Sequence, residues 1–461
     1  MKKTFFSYKD PSARVVKQGG VYLRFIHDSY QAEFKHLMSC GLYDKMVSQG
    51  LMVRHVEIPN EKLPSRYFVE ILPEQIPFHV LPFEWTFNDW KEALSVFLKI
   101  NQIALSHGMI LKDATPYNFA RIEGEMRMFD TSSFQFFEEK SSWIAYRQFC
   151  QEMLGPLALM KFLGSAWSRL SQSYLRGLPL DFISRQLPLA SYFNLPCLFH
   201  LHLHSRFQAK SGQAVEVKNF RGFTNEGLQL LLRSLEKKIA SWQAKTSTKS
   251  LWNHYYEEDL ESEFYLANKQ ELISAWLKAR NPKRVTDLGA NNGYFSLLAS
   301  QFAEQVLAIE YSLDCVEGLQ AEIREKGIKN VTTCVADLSQ LSPDLGNGFQ
   351  EFANLGTRGH ADMVMALALI HHLCLSFSFS FDQVIGLCKQ FTTDYLIIEY
   401  VPKEDTQAMT LLHTLEDHFQ DYTESNFEKA LIKSFTILEK VPILQTKRIL
   451  YLAHIGHERT K

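Results

Sequence analysis

The stretch RVTDLGANNGYFS, Arg284 to Ser296, decides the reading of this chain. Val285 and Leu288 belong to an apolar β-run that carries Asp287 at its end, Gly289 and Gly293 make a glycine-rich turn, and a helix is predicted to start near Tyr294. Strand, glycine turn and helix in that order form the ligand-binding corner of an α/β sheet. Glycine lets the backbone turn tightly and approach a ligand, and the first turn of a helix presents unpaired N–H groups. The spacing is Gly289-x-x-x-Gly293, not the G-x-G-x-x-G of dinucleotide folds, and an acid lies two residues before the first glycine. A carboxylate at that point repels phosphates and attracts an ammonium group. The corner is expected to hold a ligand that carries an ammonium and no pyrophosphate.

Working outward, Tyr294 to Phe302 reads as a short apolar helix and Gln305 to Ile309 as a strand ending at Glu310. An acid at the end of the second strand, about 20 residues after the first, is where nucleoside-binding α/β folds hold ribose hydroxyls. A charged helix from Leu313 to Lys326 closes at Gly327, a plausible C-cap. The β-branched run Val331 to Val335 ends in Ala336-Asp337-Leu338, and Ala361 to Ala368 is a fourth strand leading into Leu369-Ile370-His371-His372. Asp394 to Tyr400 is a fifth, with Glu399 near its end. Phe435 to Lys440 and Arg448 to His454 follow without an intervening helix, which predicts an antiparallel pair where a dinucleotide fold would have another crossover.

Arg284 to Ser296 resembles motif I of the class I methyltransferases, D-L-G-x-G-x-G, with Asn291 in place of the middle glycine. The ordered strand ends and the terminal strand pair extend the resemblance over the C-terminal half. It implies a seven-stranded Rossmann-like methyltransferase sheet and S-adenosylmethionine as cofactor, a molecule with an ammonium and a sulfonium and no phosphate. It also implies roles. Asp287, Gly289, Ala290, Asn291 and Gly293 form the turn at the methionine end, Glu310 holds the ribose, and Asp337 with Leu338 meets the adenine. His371 is expected at the carboxyl edge of the sheet, where an imidazole can take a proton from a hydroxyl acceptor. Glu399 is the second candidate, as base or as orienter of His371. The competing reading is that His371 and His372 pack at a helix start, since adjacent residues of a helix do not face one site. Lys269, on a predicted helix before the motif, can reach the cofactor carboxylate, although base rates for lysine make it a solvated residue.

With 461 residues the chain exceeds one comfortable core, so two domains are expected, 1–243 and 251–461, joined by the small polar run Ala244 to Ser250. An aromatic lead-in, Trp252 to Tyr256, opens the second. Hydrophobic content of 46% with 22% charged residues is that of a soluble globular protein. A net charge of −2 without a basic run argues against nucleic-acid binding. The seven cysteines are scattered without a paired framework, no stretch approaches a membrane span, and the cytoplasm is the expected location. No metal site is expected. His200, His202 and His204 alternate, but without a fourth ligand nearby they read as ordinary core or surface histidines.

The N-terminal half is expected to be an α+β domain, for which a kinase-like fold is one reading. Asp113 and Asn118 are five positions apart, and Asp130 follows a hairpin over Phe119 to Phe129 that turns at Glu123-Gly124. Kinases use this order, an Asp to orient the acceptor hydroxyl and an Asn and a later Asp to hold Mg²⁺ on nucleotide phosphates. A strand at Gly20 to Ile26, Glu33 on a following helix and a connection at Leu81 to Trp85 fit the plan. Against it stand the missing glycine-rich loop, Arg24 where a lysine belongs and Thr131-Ser132 after Asp130; the plainer reading is that these residues cap turns. The runs LKDATPYNF, FDTSSF, AYRQFCQEMLGPLALM and EYVPKED are similar to a family of bacterial two-part proteins, in which an N-terminal domain precedes a class I methyltransferase domain. Some members belong to host-specific nodulation or surface-polysaccharide loci. The resemblance implies a small-molecule or glycan acceptor, by association alone, and leaves the oligomeric state open. Three functions are expected to compete: O-methyl transfer, a bifunctional protein that also transfers phosphate, and a scaffold that binds S-adenosylmethionine without turnover.

Overall fold

Seven short apolar runs build the sheet of the C-terminal half. In this computed structural model, which describes residues 4–5, 10–60, 63–210, 222–245, 263–412 and 419–456, they are β1 (Arg284–Leu288), β2 (Gln305–Glu310), β3 (Val331–Val335), β4 (Ala361–Ala366), β5 (Thr392–Tyr400), β6 (Phe435–Pro442) and β7 (Ile449–Ile455). The lead-in Trp252 to Tyr256 and residues 246–250 of the expected linker lie outside the described residues. The described residues fall into two compact units, one covering 4–245 with 346–352 and the other 263–345 with 353–456.

Strand order in the second unit is β3-β2-β1-β4-β5-β7-β6. The first five strands run parallel, and β7 lies antiparallel to both β5 and β6. That is the class I methyltransferase order, Rossmann-like in its parallel part. The hairpin after β5 sends its second strand back beside β5 and leaves β6 at the edge. β1 sits centrally, with Val285 to Leu288 nearly free of solvent. A strand covered on both faces needs a continuous apolar run, which explains why β1 to β4 lack the alternation of a half-exposed strand.

Four helices used below are α1 (Glu263–Arg280), α2 (Tyr294–Ala299), α3 (Leu313–Glu325) and α4 (Phe381–Phe391). Ile273, Trp276 and Leu277 of α1 pack with Phe295 and Leu298 of α2 and Leu319 and Ile323 of α3 onto Val285, Val306, Met363 and Leu450. Each such side chain contributes about 1.5–3 kcal/mol on burial. Ser312 caps α3, and Gly327 ends it at φ +64°. Ser380 caps α4 through a reciprocal box with Gln383.

The first unit carries a five-stranded antiparallel sheet in the spatial order Thr4–Phe5, Ala13–Gln18, Val21–His27, Tyr67–Pro73, His55–Ile58. Helix Gln31–Ser39, which holds Glu33, follows the Val21–His27 strand, and Thr86 caps the long helix Phe87–Leu105. Phe119–Ile122 and Glu125–Met128 pair as the expected hairpin, with Glu123 and Gly124 both at positive φ. Further helices, Gly155–Leu163, Leu180–Gln186 and Asn225–Ala240, complete an α+β unit. His200 to His204 form a wide helical turn, not a strand. His202 is fully buried between Ser184 Oγ at 2.8 Å and Ser191 Oγ at 2.7 Å, which accounts for it without a metal.

Candidate functional site

The turn after β1 takes the shape its residues dictate. Gly289 and Gly293 have φ +75° and +82°, and Asn291 adopts φ +50°. Asparagine visits the left-handed region more readily than other side chains, which is how it stands in for a glycine. A Cβ on Gly289 would lie 3.1 Å from Leu369 Cδ1, and one on Gly293 only 2.3 Å from Leu319 Cδ1. The amides of Gly289 and Ala290 donate to Ile309 O at 2.9 and 3.0 Å, tying the turn to β2.

Asp287 is 2% exposed and accepts from Ser296 Oγ at 2.6 Å. Burial pushes its carboxyl up to about 6, against the opposing Ser296 hydrogen bond and the Lys269 charge. Glu310 accepts from Asn291 N at 2.8 Å and from Ser312 N at 2.7 Å, one on each carboxylate oxygen. Each oxygen retains a lone pair for a ribose hydroxyl. Asp337 turns at the end of β3, where its Oδ1 accepts from Ser339 N at 2.9 Å and Ser339 Oγ at 2.6 Å. Leu338 is buried beside it. Strand pairing therefore puts Asp287, Glu310 and Asp337 at the carboxyl ends of three adjacent strands. The donor set fits S-adenosylmethionine: a buried acid for an ammonium, a second acid for vicinal hydroxyls, a third for an exocyclic amine, and a glycine turn that a Cβ would crowd.

The other edge of the site departs from expectation. Lys269 is not a solvated helix residue. It is 2% exposed, and its Nζ lies 2.6 Å from Glu399 Oε2 and 4.7 Å from the Phe295 ring centre. Glu399, wholly buried, also accepts from Tyr265 OH at 2.9 Å and from the Ala368 amide at 2.9 Å. Arg448 Nη1 stands 3.6 Å from its Oε1, donates to Tyr265 OH at 2.9 Å, and the same guanidinium forks onto both oxygens of Asp405 at 2.8 and 2.9 Å. Burial raises the Glu399 pKa, but Lys269 and Arg448 outweigh it and hold the carboxyl below its ordinary value. That is the environment of a structural anion and not of a base. His371 is also wholly buried, and its ring lies 4.2 Å from that of His372, so the two adjacent imidazoles do share one place. Burial, reinforced by His372, Arg448 and Lys269, pushes the His371 pKa well below its ordinary value and keeps the ring neutral. Sequence reasoning missed Tyr265, Arg448, Asp405 and Ala368. The spacing of Tyr265 and Lys269, one helical turn apart, was the available signal.

In the first unit, Asp113, Asn118 and Asp130 do converge. Asn118 Nδ2 lies 3.4 Å from Asp113 Oδ2 and 3.3 Å from Asp130 Oδ2. Asp130 caps the following turn through Ser132 N at 2.9 Å, accepts from Ser132 Oγ and Ser133 Oγ at 2.6 Å each, and is ion-paired with Arg24. Gln148 Nε2 donates to Asp113 at 2.5 Å. Burial raises the Asp113 pKa against the Gln148 and Asn118 hydrogen bonds. Among the described residues no group of three or more His, Cys, Asp or Glu side chains is arranged to hold a metal, and no helix is long and apolar enough to cross a membrane.

No family model matches the chain. It is 26% identical over 457 residues to nodulation protein NoeA of Rhizobium meliloti, covering 96% of this chain and 94% of that protein. The likeness to this nodulation protein thus runs nearly end to end. Among solved structures, the N-methyltransferase NodS of Bradyrhizobium japonicum aligns with 43% of this chain and 100% of its own, at 11% identity and a TM-score of 0.33. Magnesium protoporphyrin IX methyltransferase of Synechocystis, with bound S-adenosylhomocysteine, aligns with 44% of this chain and 93% of its own, at 19% identity and a TM-score of 0.32.

Proposed function

We propose that the second unit binds S-adenosylmethionine and transfers its methyl group to a small acceptor, a hydroxyl of a sugar or other glycan. The observation that carries this reading is the corner at β1: a buried acid, a left-handed glycine turn and Glu310 closing on Asn291 from the next strand. Asp287 would face the ammonium, Glu310 the ribose, and Asp337 with Leu338 the adenine. The bound cofactor supplies an electrophilic methyl group on a sulfonium. The chain supplies alignment and a water-poor surround, which are the principal contributions a protein makes to such an in-line displacement. Neither residue expected as a base is exposed, so the proton that the acceptor hydroxyl loses passes to neutral His371 or to solvent water. The glycan acceptor rests on the resemblance to nodulation and surface-polysaccharide proteins.

A second reading, phosphoryl transfer by a kinase-like first unit, is favoured by the convergence of Asp113, Asn118 and Asp130. Arg24 weighs against it by already neutralising the carboxylate that Mg²⁺ would need. Calorimetric titration of S-adenosylmethionine and of ATP–Mg²⁺ into wild type, Asp287→Ala and Asp130→Ala separates the two. The expected result is S-adenosylmethionine binding that is lost in Asp287→Ala and kept in Asp130→Ala. A folded wild type that ignores S-adenosylmethionine would sink the methyltransferase reading, and ATP binding lost in Asp130→Ala would move the function to the first unit. Turnover to S-adenosylhomocysteine with any acceptor excludes a mere scaffold.

A further inference from the structure

Glu399 has one partner that an ion-pair role does not explain. Its Oε2, besides taking the Lys269 ammonium, accepts the backbone N–H of Ala368 at 2.9 Å. Ala368 lies two residues past the end of β4 and has φ +49°. A left-handed alanine is disfavoured, because its Cβ crowds the following carbonyl, and such a conformation persists where the surroundings over-determine it. Here the surroundings are specific. The carboxylate is fixed from behind by Tyr265 OH and Lys269 of α1 and by Arg448 immediately before β7, itself clamped to Asp405. Holding Ala368 in this turn sends Leu369 against Gly289, where its Cδ1 sits 3.1 Å from the place a Cβ would occupy, and sets the start of the turn that carries His371.

The geometry points to Glu399 as a positioning residue: its carboxylate locks the loop after β4 in a left-handed conformation, and that loop forms the wall of the glycine turn on which the proposed cofactor sits. The inference rests, for its functional half, on the S-adenosylmethionine reading. Its structural half stands without it. Lys269 and Arg448 act through Glu399 by keeping it ionised and immobile, while Asp405 occupies the other face of Arg448, so the buried charges balance.

The test uses Glu399→Asp, which keeps the charge near Lys269 but withdraws it by one methylene from the Ala368 amide. Residue-resolved hydrogen exchange on the cofactor-free chain is expected to find the Ala368 amide protected in wild type and to lose about tenfold or more of that protection in E399D. S-adenosylhomocysteine affinity is expected to fall about tenfold in E399D, the scale of one unfavourable left-handed alanine. It is expected to recover to within about twofold in E399D/A368G, because glycine adopts the turn unaided. A purely structural role for Glu399 predicts no rescue by A368G, and that result, or unchanged protection in E399D, overturns the proposal. If E399D does not fold, the wild type decides: an Ala368 amide that exchanges as an open loop overturns it. If wild type binds no S-adenosylhomocysteine, the cofactor reading falls, while the exchange data still judge the loop.

Discussion

Asp287 concentrates the tension between stability and binding in a single side chain. Burial lifts its pKa from 3.8 to about 6, so the folded protein holds a proton there that the unfolded chain has released. Between those values the native state binds more protons, and stability falls as pH rises from about 4 to about 6. At neutral pH the ionised group opposes folding, by an amount on the order of 1–3 kcal/mol. Asp287→Asn is therefore expected to raise the melting temperature of the cofactor-free protein at pH 7.5 and to flatten its pH dependence. An ammonium partner requires the ionised form, so S-adenosylmethionine affinity in wild type is expected to weaken as pH falls below about 6. Titration calorimetry from pH 5 to 8 checks this; an affinity independent of pH would remove Asp287 from the ligand's contacts.

At the scale of elements, the fold depends on how closely α1, α2 and α3 approach the strand ends. Gly293 starts α2 at φ +82°, with Leu319 of α3 2.3 Å from the position of a Cβ. Gly293→Ala is expected to cost about 1–3 kcal/mol from backbone strain and overpacking and to abolish cofactor binding, read from urea unfolding and calorimetry. The bridge from α1 to β5 should be more costly to break. Lys269→Ala would remove the shorter of the two ion pairs of the wholly buried Glu399 and leave Arg448, 3.6 Å away, as its remaining cation; loss of one partner of a buried pair costs about 3–5 kcal/mol. By contrast Lys440→Ala, which removes exposed bonds to Glu424 and Glu428 beside β6, is expected to cost less than about 1 kcal/mol. Equal losses from the two lysine variants would show that the burial of Lys269 is not what stabilises the helix on the sheet.

For the molecule as a whole, the two units each carry their own sheet and their own buried side chains. Heating is therefore expected to give two calorimetric transitions, since chains of more than one domain depart from a single two-state unfolding. S-adenosylmethionine at 100 times its dissociation constant should stabilise one of them by about 2.7 kcal/mol and leave the other in place. A single transition that shifts as one with the ligand would show that the units are energetically inseparable. Asp287→Ala should abolish the ligand-induced shift, which assigns the moving transition to the second unit.

Local chemistry made much of this readable before any tertiary contact was known. The β1 turn follows from glycines and an acid within seven residues of chain, the hairpin from Glu123-Gly124 between apolar runs, and the terminal strand pair from the missing helix between β6 and β7. The convergence of Asp113, Asn118 and Asp130 was legible as an order of residue types; that Arg24, 106 residues before Asp130, would neutralise the last of them was not. The same holds for Lys269 and Glu399, 130 residues apart, and for the guanidinium of Arg448 between Tyr265 and Asp405. Which strand ends carry acids follows from the order of residues alone, because strand and turn propensities act over a few neighbouring residues. Whether a given lysine or glutamate is solvated or locked inside was decided by tertiary structure alone, because desolvation depends on what covers a side chain, and the covering elements come from distant parts of the chain.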